Sequence, residues 1–249
     1  MKISALRGFL LPTLVLLAVP WIVDTVVAVQ VERHISDEVR AADDLSQYPS
    51  VTVGGVPYLG ALLTHTVPTI IVEAGDVPVR DLGMVNLRTE IRDARLAPGA
   101  VLSGDVLGAP ASVIARTVRL DGVALGNQIG ITDLDIAHPT DISPSAKPST
   151  EARLTGTPPG FDHPVAVYVR LRIRGPELTM TPYRMVGVPD DREEEVESIF
   201  TWSLDSRDTP LPTLIDKVFC SGGSIYLESR QRPAIVGDTP LLPLGTSAM

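Results

Sequence analysis

The segment Val165-Ala-Val-Tyr-Val-Arg-Leu-Arg-Ile-Arg174 alternates apolar and polar residues with a period of two. In a β-strand this period separates two faces. The first face is apolar and carries Val165, Val167, Val169, Leu171 and Ile173. The second face carries Arg170, Arg172 and Arg174. The pattern therefore predicts a strand with one dry and one wet face.

Similar strands are predicted elsewhere in the chain. The clearest is Val85-Asn-Leu-Arg-Thr-Glu-Ile-Arg92, and weaker alternation follows in four stretches: Thr69 to Val72, Ser112 to Leu120, Thr132 to Ala137 and Ser224 to Glu228. Turn signals such as Pro98-Gly99 and Pro158-Pro159-Gly160 lie between strands. This spacing predicts an antiparallel sheet with hairpin connections.

Two helices are also predicted. From Ala28 to Leu45 apolar residues recur at three- and four-residue spacing, at Val31, Ile35, Val39 and Ala42. Tyr48-Pro49 should follow the end of that helix, since the residue before proline is pushed out of helical geometry. A shorter helix is predicted over Asp190 to Phe200, with acidic residues at its start. Pro210 and Pro212 then precede a last strand, and Ser143 to Ser149 is predicted to be a loop.

The predicted fold class is α+β and mostly β, with a long N-terminal helix packed against a curved antiparallel sheet. A sheet with one dry face must cover that face. Either the sheet wraps a helix and closes on itself, or it leaves an apolar groove that a lipid chain can fill. The sequence leaves both arrangements open.

The N-terminus is typical of an export signal. Lys2 and Arg7 precede an apolar run from Gly8 to Val23, which Asp24 interrupts. The run could be cleaved after Val26-Val27-Ala28, or Gly8 to Val31 could remain as a membrane-spanning anchor. The third interpretation is that the apolar run is a buried core helix. That interpretation would leave the basic residues before it, Lys2 and Arg7, unexplained. In the first two cases the rest of the chain is delivered outside the cytoplasm.

Composition narrows the function classes. A net charge of -9 argues against binding nucleic acid, which requires a surplus of basic residues. The same negative charge disfavours docking on anionic lipid by a broad basic surface. Any lipid contact should therefore be apolar, with at most a local basic patch. We expect a leader over residues 1–28, one β-rich lipid-binding domain over 29–238 and a loosely ordered tail over 239–249.

No catalytic motif is found, and we predict no catalytic residue, metal or cofactor. The four histidines are scattered and are predicted to be structural or solvated: His34, His65, His138 and His163. The only cysteine, Cys220, cannot form an internal disulfide and has no base beside it in sequence. The acidic run from Asp190 to Glu195 is typical of a solvated helix face. The arginines of the 165–174 strand could contact a phosphate head group or simply face water.

The segment Tyr48-Pro-Ser-Val-Thr-Val-Gly-Gly-Val-Pro-Tyr-Leu59 resembles the signature of the LmeA-type phospholipid-binding family of actinobacterial cell envelopes. The sequence departs from that signature at Val56 and Tyr58. The resemblance continues through Thr69 to Val79, through Leu211-Pro-Thr-Leu-Ile-Asp216 and into Ile225 to Leu227. It covers about residues 28 to 236.

This resemblance implies a tubular lipid-binding architecture, in which a curved sheet wraps a long helix. It also implies a protein on the outer side of the plasma membrane, in the periplasm or cell envelope, that binds or transfers glycerophospholipid and supports lipoglycan (mannan) elongation or maintenance. The expected partners are phospholipid and the membrane. A non-catalytic scaffold for an envelope glycosyltransferase is the alternative, and an unrecognised hydrolase is a third.

Overall fold

The computed structural model describes residues 3–42, 45–79, 82–139, 148–209, 211 and 213–237. Their helices are α1 (Ile3–Ala42), α2 (Ala61–Thr64), α3 (Pro98–Ser103), α4 (Gly122–Ile129) and α5 (Glu193–Ile199). Short 3-10 turns occupy Tyr58–Gly60, Asp190–Arg192 and Ser206–Asp208.

The strands of the described residues form three sheets. They are β1 (Ser50–Val53), β2 (Thr66–Val79), β3 (Gly83–Arg95), β4 (Pro110–Ala111), β5 (Val113–Asp121), β6 (Asp135–Ala137), β7 (Ser149–Gly156), β8 (Val165–Arg174), β9 (Glu177–Val186), β10 (Trp202–Asp205), β11 (Lys217–Ser221), β12 (Ser224–Gln231) and β13 (Ala234–Ile235). The strand orders are β1-β2-β3-β5-β12-β11, β10-β9-β8-β7-β6 and β13-β4. Pairing is antiparallel along β6 to β10 and in β11-β12-β5. The predicted fold class, α+β and mostly β with a long N-terminal helix against an antiparallel sheet, is confirmed.

The chain divides into two compact units. Unit 1 comprises residues 1–72, 90–113 and 233–238, and unit 2 comprises the remainder. In unit 1, α1 packs against β1 and α3. Val31, Ile35 and Val39 of α1 are buried, as their spacing predicts, whereas Ala42 at the end of the helix is exposed.

The core of unit 2 is built on the alternation of β8. Val167, Val169 and Leu171 are fully buried, and Ile173 near the strand end is half-buried. The strands β7 and β8 pack against β11, which buries Val218 and Cys220. The dry face of β8 is thus covered by side chains of its own unit.

Several elements differ from the sequence-based expectation. Pro98-Gly99 begins α3 and is not a turn, because proline is tolerated at the first helical position. Only Asp135–Ala137 of the predicted Thr132 to Ala137 strand is extended. The single strand predicted after Pro212 is a hairpin of β11 and β12, whose turn contains two glycines with positive φ, Gly222 and Gly223, and the short strand β13 follows it.

The predicted helix from Asp190 is confirmed as a 3-10 turn followed by α5. Other predictions fall outside the described residues: Lys2, the side chain of Arg7, Pro210, Pro212, residues 143–147 and the tail 239–249. Within the described part of the chain, no helix is long and apolar enough to cross a membrane.

Candidate functional site

The segment Tyr48–Leu59, hereafter the motif segment, is held to α1 by polar side chains of the helix. Near its start, the Ser36 hydroxyl donates to the carbonyl oxygen of Pro49 at 2.7 Å, and Ser36 is buried. Further along, the backbone N–H of Val53 donates to Glu32 Oε1 at 3.0 Å. The residue numbers rise along the segment while they fall along the helix, so the segment runs antiparallel to α1.

The third contact is made by Asp24. Its Oδ2 accepts the backbone N–H of Tyr58 at 3.0 Å, and its Oδ1 accepts the N–H of Leu59 at 2.6 Å. Tyr58 begins a 3-10 turn, whose first N–H groups have no partner within the turn itself. The half-buried carboxylate supplies those partners. We refer to this pair of hydrogen bonds as the Asp24 clasp.

The two glycines of the motif segment suit its backbone path. Gly54 donates its N–H to the carbonyl of Thr69 at 2.6 Å, and a Cβ on Gly54 would lie 3.1 Å from the Thr69 side chain. Gly55 has a φ of +126°, which is strained for any residue with a side chain. This backbone leaves the next side chain, Val56, 95% exposed.

Tyr58 fixes the motif segment from the interior of unit 1. Its side chain is only 2% exposed, and its hydroxyl donates to the carbonyl oxygen of Val101 at 2.8 Å. Burial raises the pKa of the Tyr58 hydroxyl to about 12, with further contributions from the negative charges of Asp24 and Glu32. The phenol therefore remains protonated and able to donate at neutral pH.

An apolar surface is exposed next to the clasp. Among the described side chains of α1, the large apolar ones that face solvent are Val19, Trp21, Ile22, Val23, Val26 and Val29. On the chain that the clasp holds, Val56 and Leu63 are 95% and 87% exposed. We call Trp21, Val56 and Leu63 the exposed apolar surface, because Trp21 lies one turn before Asp24 on the same side of α1 and Val56 and Leu63 flank the turn that Asp24 holds. Such a concentration is unusual for a surface that meets only water.

The strand face predicted to contact lipid lies in the core of unit 2. Ala152, Val167, Val169 and Met180 are each 0% exposed and come from three adjacent strands, β7, β8 and β9. These side chains pack against one another and against β11. Their contact with a lipid chain stays a prediction.

The opposite face of the same sheet exposes the predicted arginines. Arg170 pairs with Glu151 at 2.9 Å, and the Tyr183 hydroxyl donates to the same carboxylate at 2.9 Å. The hydrogen bond from Arg170 is the main cause that lowers the pKa of Glu151. Arg172 and Arg174 are exposed. One arginine of the three is therefore engaged within the sheet, and the other two face solvent.

A small cavity lies at the C-terminal end of α1. Its volume is about 190 Å³, and it is lined by Asp37, Arg40, Ala41, Leu45 and Tyr48. The Arg40 guanidinium lies 4.2 Å from the centre of the Tyr48 ring. This cavity is smaller than typical ligand pockets, which enclose about 300 Å³ or more.

The histidines are dispersed as the sequence indicates. His34 pairs with Glu38 on the exposed side of α1 at 3.2 Å, and His65 and His163 are exposed. Among the described residues, no three histidine, cysteine or acidic side chains are arranged to hold a metal ion.

Replacing Cys220 by serine should leave phospholipid binding intact. The thiol is buried on β11, and burial raises its pKa, so the reactive thiolate is disfavoured at neutral pH. Burying a hydroxyl in its place should reduce the free energy of unfolding by about 1–3 kcal/mol. Bound phospholipid per folded protein, with a thermal melt as the stability control, tests this. Loss of binding in a folded variant would assign the thiol a functional role.

The comparisons with known proteins give one family. A family model described as LmeA-like phospholipid-binding matches residues 22–230. Searches of the curated proteins and of the solved structures give no match. The matched range begins two residues before Asp24 and includes both the motif segment and the β6–β10 sheet.

The sequence identified the motif segment but not its partners on α1. In the sequence Asp24 is only an interruption of the apolar run, and Glu32 and Ser36 belong to no recognisable motif. Each bonds a backbone group 13 to 35 residues away. The one available signal was Asp24 itself, since a single carboxylate within an apolar run requires a hydrogen-bonding partner.

Proposed function

Because the chain belongs to the LmeA-like phospholipid-binding family, we propose that it binds glycerophospholipid on the outer side of the plasma membrane. There it supports the elongation or maintenance of lipoglycan (mannan). The observation that carries this proposal is the family match over residues 22–230. This family binds phospholipid. The chain resembles the family through the motif segment, and three side chains of α1 hold that segment in unit 1.

The physical basis of the proposed binding is apolar burial. Each methylene group moved from water into an apolar site contributes about 0.8 kcal/mol, so an acyl chain needs no special motif. The net charge of -9 makes a broad electrostatic attraction to anionic lipid unfavourable. The exposed arginines Arg172 and Arg174 are the local cations that a head-group phosphate could contact.

One observation favours a second candidate function. The dry face of β8, which the groove hypothesis assigns to lipid, is filled by side chains of unit 2, with Val167 and Val169 fully buried. A sheet filled in this way suits a non-catalytic scaffold that contacts an envelope glycosyltransferase. Lipid would then be a surface that the protein touches and not a ligand that it holds.

Lipid extraction of the purified full chain separates these candidates. We expect phospholipid in a fixed ratio to folded protein, resistant to gel filtration, as detected by mass spectrometry. A water-soluble protein purified from the same cells is the control for adventitious lipid. If the chain carries no more phospholipid than the control, the binding proposal fails and the scaffold candidate gains.

Export is tested separately with a fused reporter. A reporter attached after Val236 should be found outside the cytoplasm, because the basic flank of Lys2 and Arg7 precedes the apolar run. The same fusion without residues 1–28 should remain in the cytoplasm. A cytoplasmic location of the complete fusion would contradict the proposed location.

A further inference from the structure

The six residues of α1 that directly precede Asp24 are apolar and exposed on every side. From Ala18 to Val23 each residue faces solvent, and none carries a charge. Trp21 is 66% exposed and Ile22 is 53% exposed. A helix that is apolar all round is normally covered by protein or by lipid. Water alone is therefore an unfavourable environment for this stretch.

The Asp24 clasp brings a second apolar element to the same stretch. Trp21 precedes Asp24 by three residues and so lies on the same side of the helix, one turn earlier. Val56 precedes Tyr58, which Asp24 holds, by two residues. Leu63 follows on α2, which packs against the 3-10 turn of Tyr58. Val56 and Leu63, which are 95% and 87% exposed, thus flank the turn that Asp24 holds against the helix.

We infer that the exposed apolar surface docks the protein on a phospholipid bilayer, and that the Asp24 clasp positions Val56 and Leu63 for this contact. Trp21 of this surface belongs to the apolar run that extends in sequence from Gly8 to Val23. Tryptophan is enriched where proteins meet the head-group region of a bilayer. The net charge of -9 favours attachment by apolar burial and not by charge.

The inference has a consequence for the leader. The clasp lies upstream of Val26-Val27-Ala28, and the family match also begins upstream, at residue 22. Cleavage after Ala28 would remove Asp24 and leave the amides of Tyr58 and Leu59 without this acceptor. The docking surface therefore requires that residues 21–28 remain in the mature protein. This inference rests on the proposed function, since a protein that binds phospholipid must reach a bilayer.

The test places an environment-sensitive fluorophore on single cysteines in the full chain. In a Cys220→Ser background, Val56→Cys and Leu63→Cys are labelled and mixed with phosphatidylcholine vesicles. We expect a blue shift at both positions and quenching by lipids brominated along the acyl chain. Val123→Cys is the matched control, because Val123 is 66% exposed on α4 and lies outside this surface. It should show neither change.

The clasp is tested in the labelled Val56→Cys protein with Asp24→Ala. The blue shift at position 56 should be reduced severalfold, while circular dichroism stays unchanged. Asp37→Ala is the control, since Asp37 is an exposed carboxylate on the same helix. Equal shifts in the Asp24→Ala and Asp37→Ala proteins would overturn the positioning role of the clasp.

Other outcomes overturn the docking surface itself. Absence of a shift at positions 56 and 63, with phospholipid still found in the extracted protein, would refute docking and leave the proposed function standing. A shift that requires anionic vesicles and appears at a label on Arg172→Cys would assign docking to the arginine face. A shift at 56 and 63 in a protein that carries no phospholipid would support docking and refute the proposed function.

Discussion

Replacing Val169 by aspartate is expected to destabilise unit 2 by several kcal/mol, enough to unfold a protein of ordinary stability. Val169 is 0% exposed in the middle of β8, between Ala152 of β7 and Pro182 of β9. A carboxylate there has no cationic side chain on the same face of β8, since the three arginines project from the opposite face. Burial of an unpaired charge is among the most costly single changes in a protein.

Circular dichroism and chemical denaturation measure this effect. The matched control is Val186→Asp, because Val186 lies on the neighbouring strand β9 but is 48% exposed. The control should change the free energy of unfolding by less than about 1 kcal/mol. A folded Val169→Asp protein of normal stability would show that this face is not a closed core.

A milder substitution at the same position tests whether this face of β8 contacts lipid. Val169→Ala should retain the fold, with a loss of about 1–3 kcal/mol from the cavity it creates. If the face lines a lipid site, the variant should carry less phospholipid per folded protein. Arg172→Ala, on the exposed face, should reduce only the binding of anionic lipid if the guanidinium contacts phosphate. Unchanged lipid in both variants would remove this sheet from the binding site.

The strands with strict alternation could be predicted from the sequence, and the irregular ones could not. Over most of their length β3 and β8 bury the side chain at every second position, and burial enforces this period. β2 runs from Thr66 to Val79 but contains Pro68, Gly75 and Pro78, so alternation alone indicates only Thr69 to Val72, and the extended path to Val79 followed from the family resemblance. Proline and glycine are poor strand formers, and tertiary pairing outweighs that preference here.

The helix α4 could not be predicted from the sequence for a different reason. It contains Gly122 and Gly126, which weaken the local helical signal. A Cβ at Gly126 would lie 2.1 Å from the carbonyl oxygen of Ile131, so this glycine is required by close backbone packing. The N-cap is Asp121, whose side chain accepts the N–H of Ala124 at 2.9 Å. A cap without a periodic apolar stripe gave too little information to predict the helix.

In the candidate site, local sequence patterns could be predicted, whereas contacts between residues far apart in the sequence could not. The motif segment could be recognised because its glycines, proline and tyrosine are close together in sequence. The Asp24 clasp joins residues 34 and 35 positions apart, so no local pattern reveals it. The exposed apolar surface was equally hidden, because sequence alone does not show that Val56 and Leu63 are left uncovered beside α1.

Replacing Tyr58 by alanine should have the second large effect, a loss of about 3–5 kcal/mol in the free energy of unfolding, as for other buried aromatic residues. The change removes a side chain that is 2% exposed and the hydrogen bond to Val101. We also expect the motif segment to become sensitive to limited proteolysis, since Tyr58 anchors it in unit 1. Tyr48→Ala is the control within the same segment, because Tyr48 is 63% exposed. Equal stability of the two variants would contradict the anchoring role.

The hydroxyl of Tyr58 can be isolated by comparing the wild-type protein with Tyr58→Phe as the pH is raised. The pKa of this hydroxyl is about 12 in the folded protein, against an ordinary value of 10.0. The folded state therefore keeps a proton that the unfolded state releases, and its stability falls as the pH rises from 10 towards 12. Below pH 10 wild type should be more stable than Tyr58→Phe by about 1 kcal/mol or more, the contribution of the hydrogen bond. That difference should shrink between pH 10 and pH 12 in urea denaturation. Tyr183, whose pKa is also raised, is present in both proteins, so its contribution cancels. A difference that stays constant over this range would show that the buried hydroxyl does not titrate with unfolding.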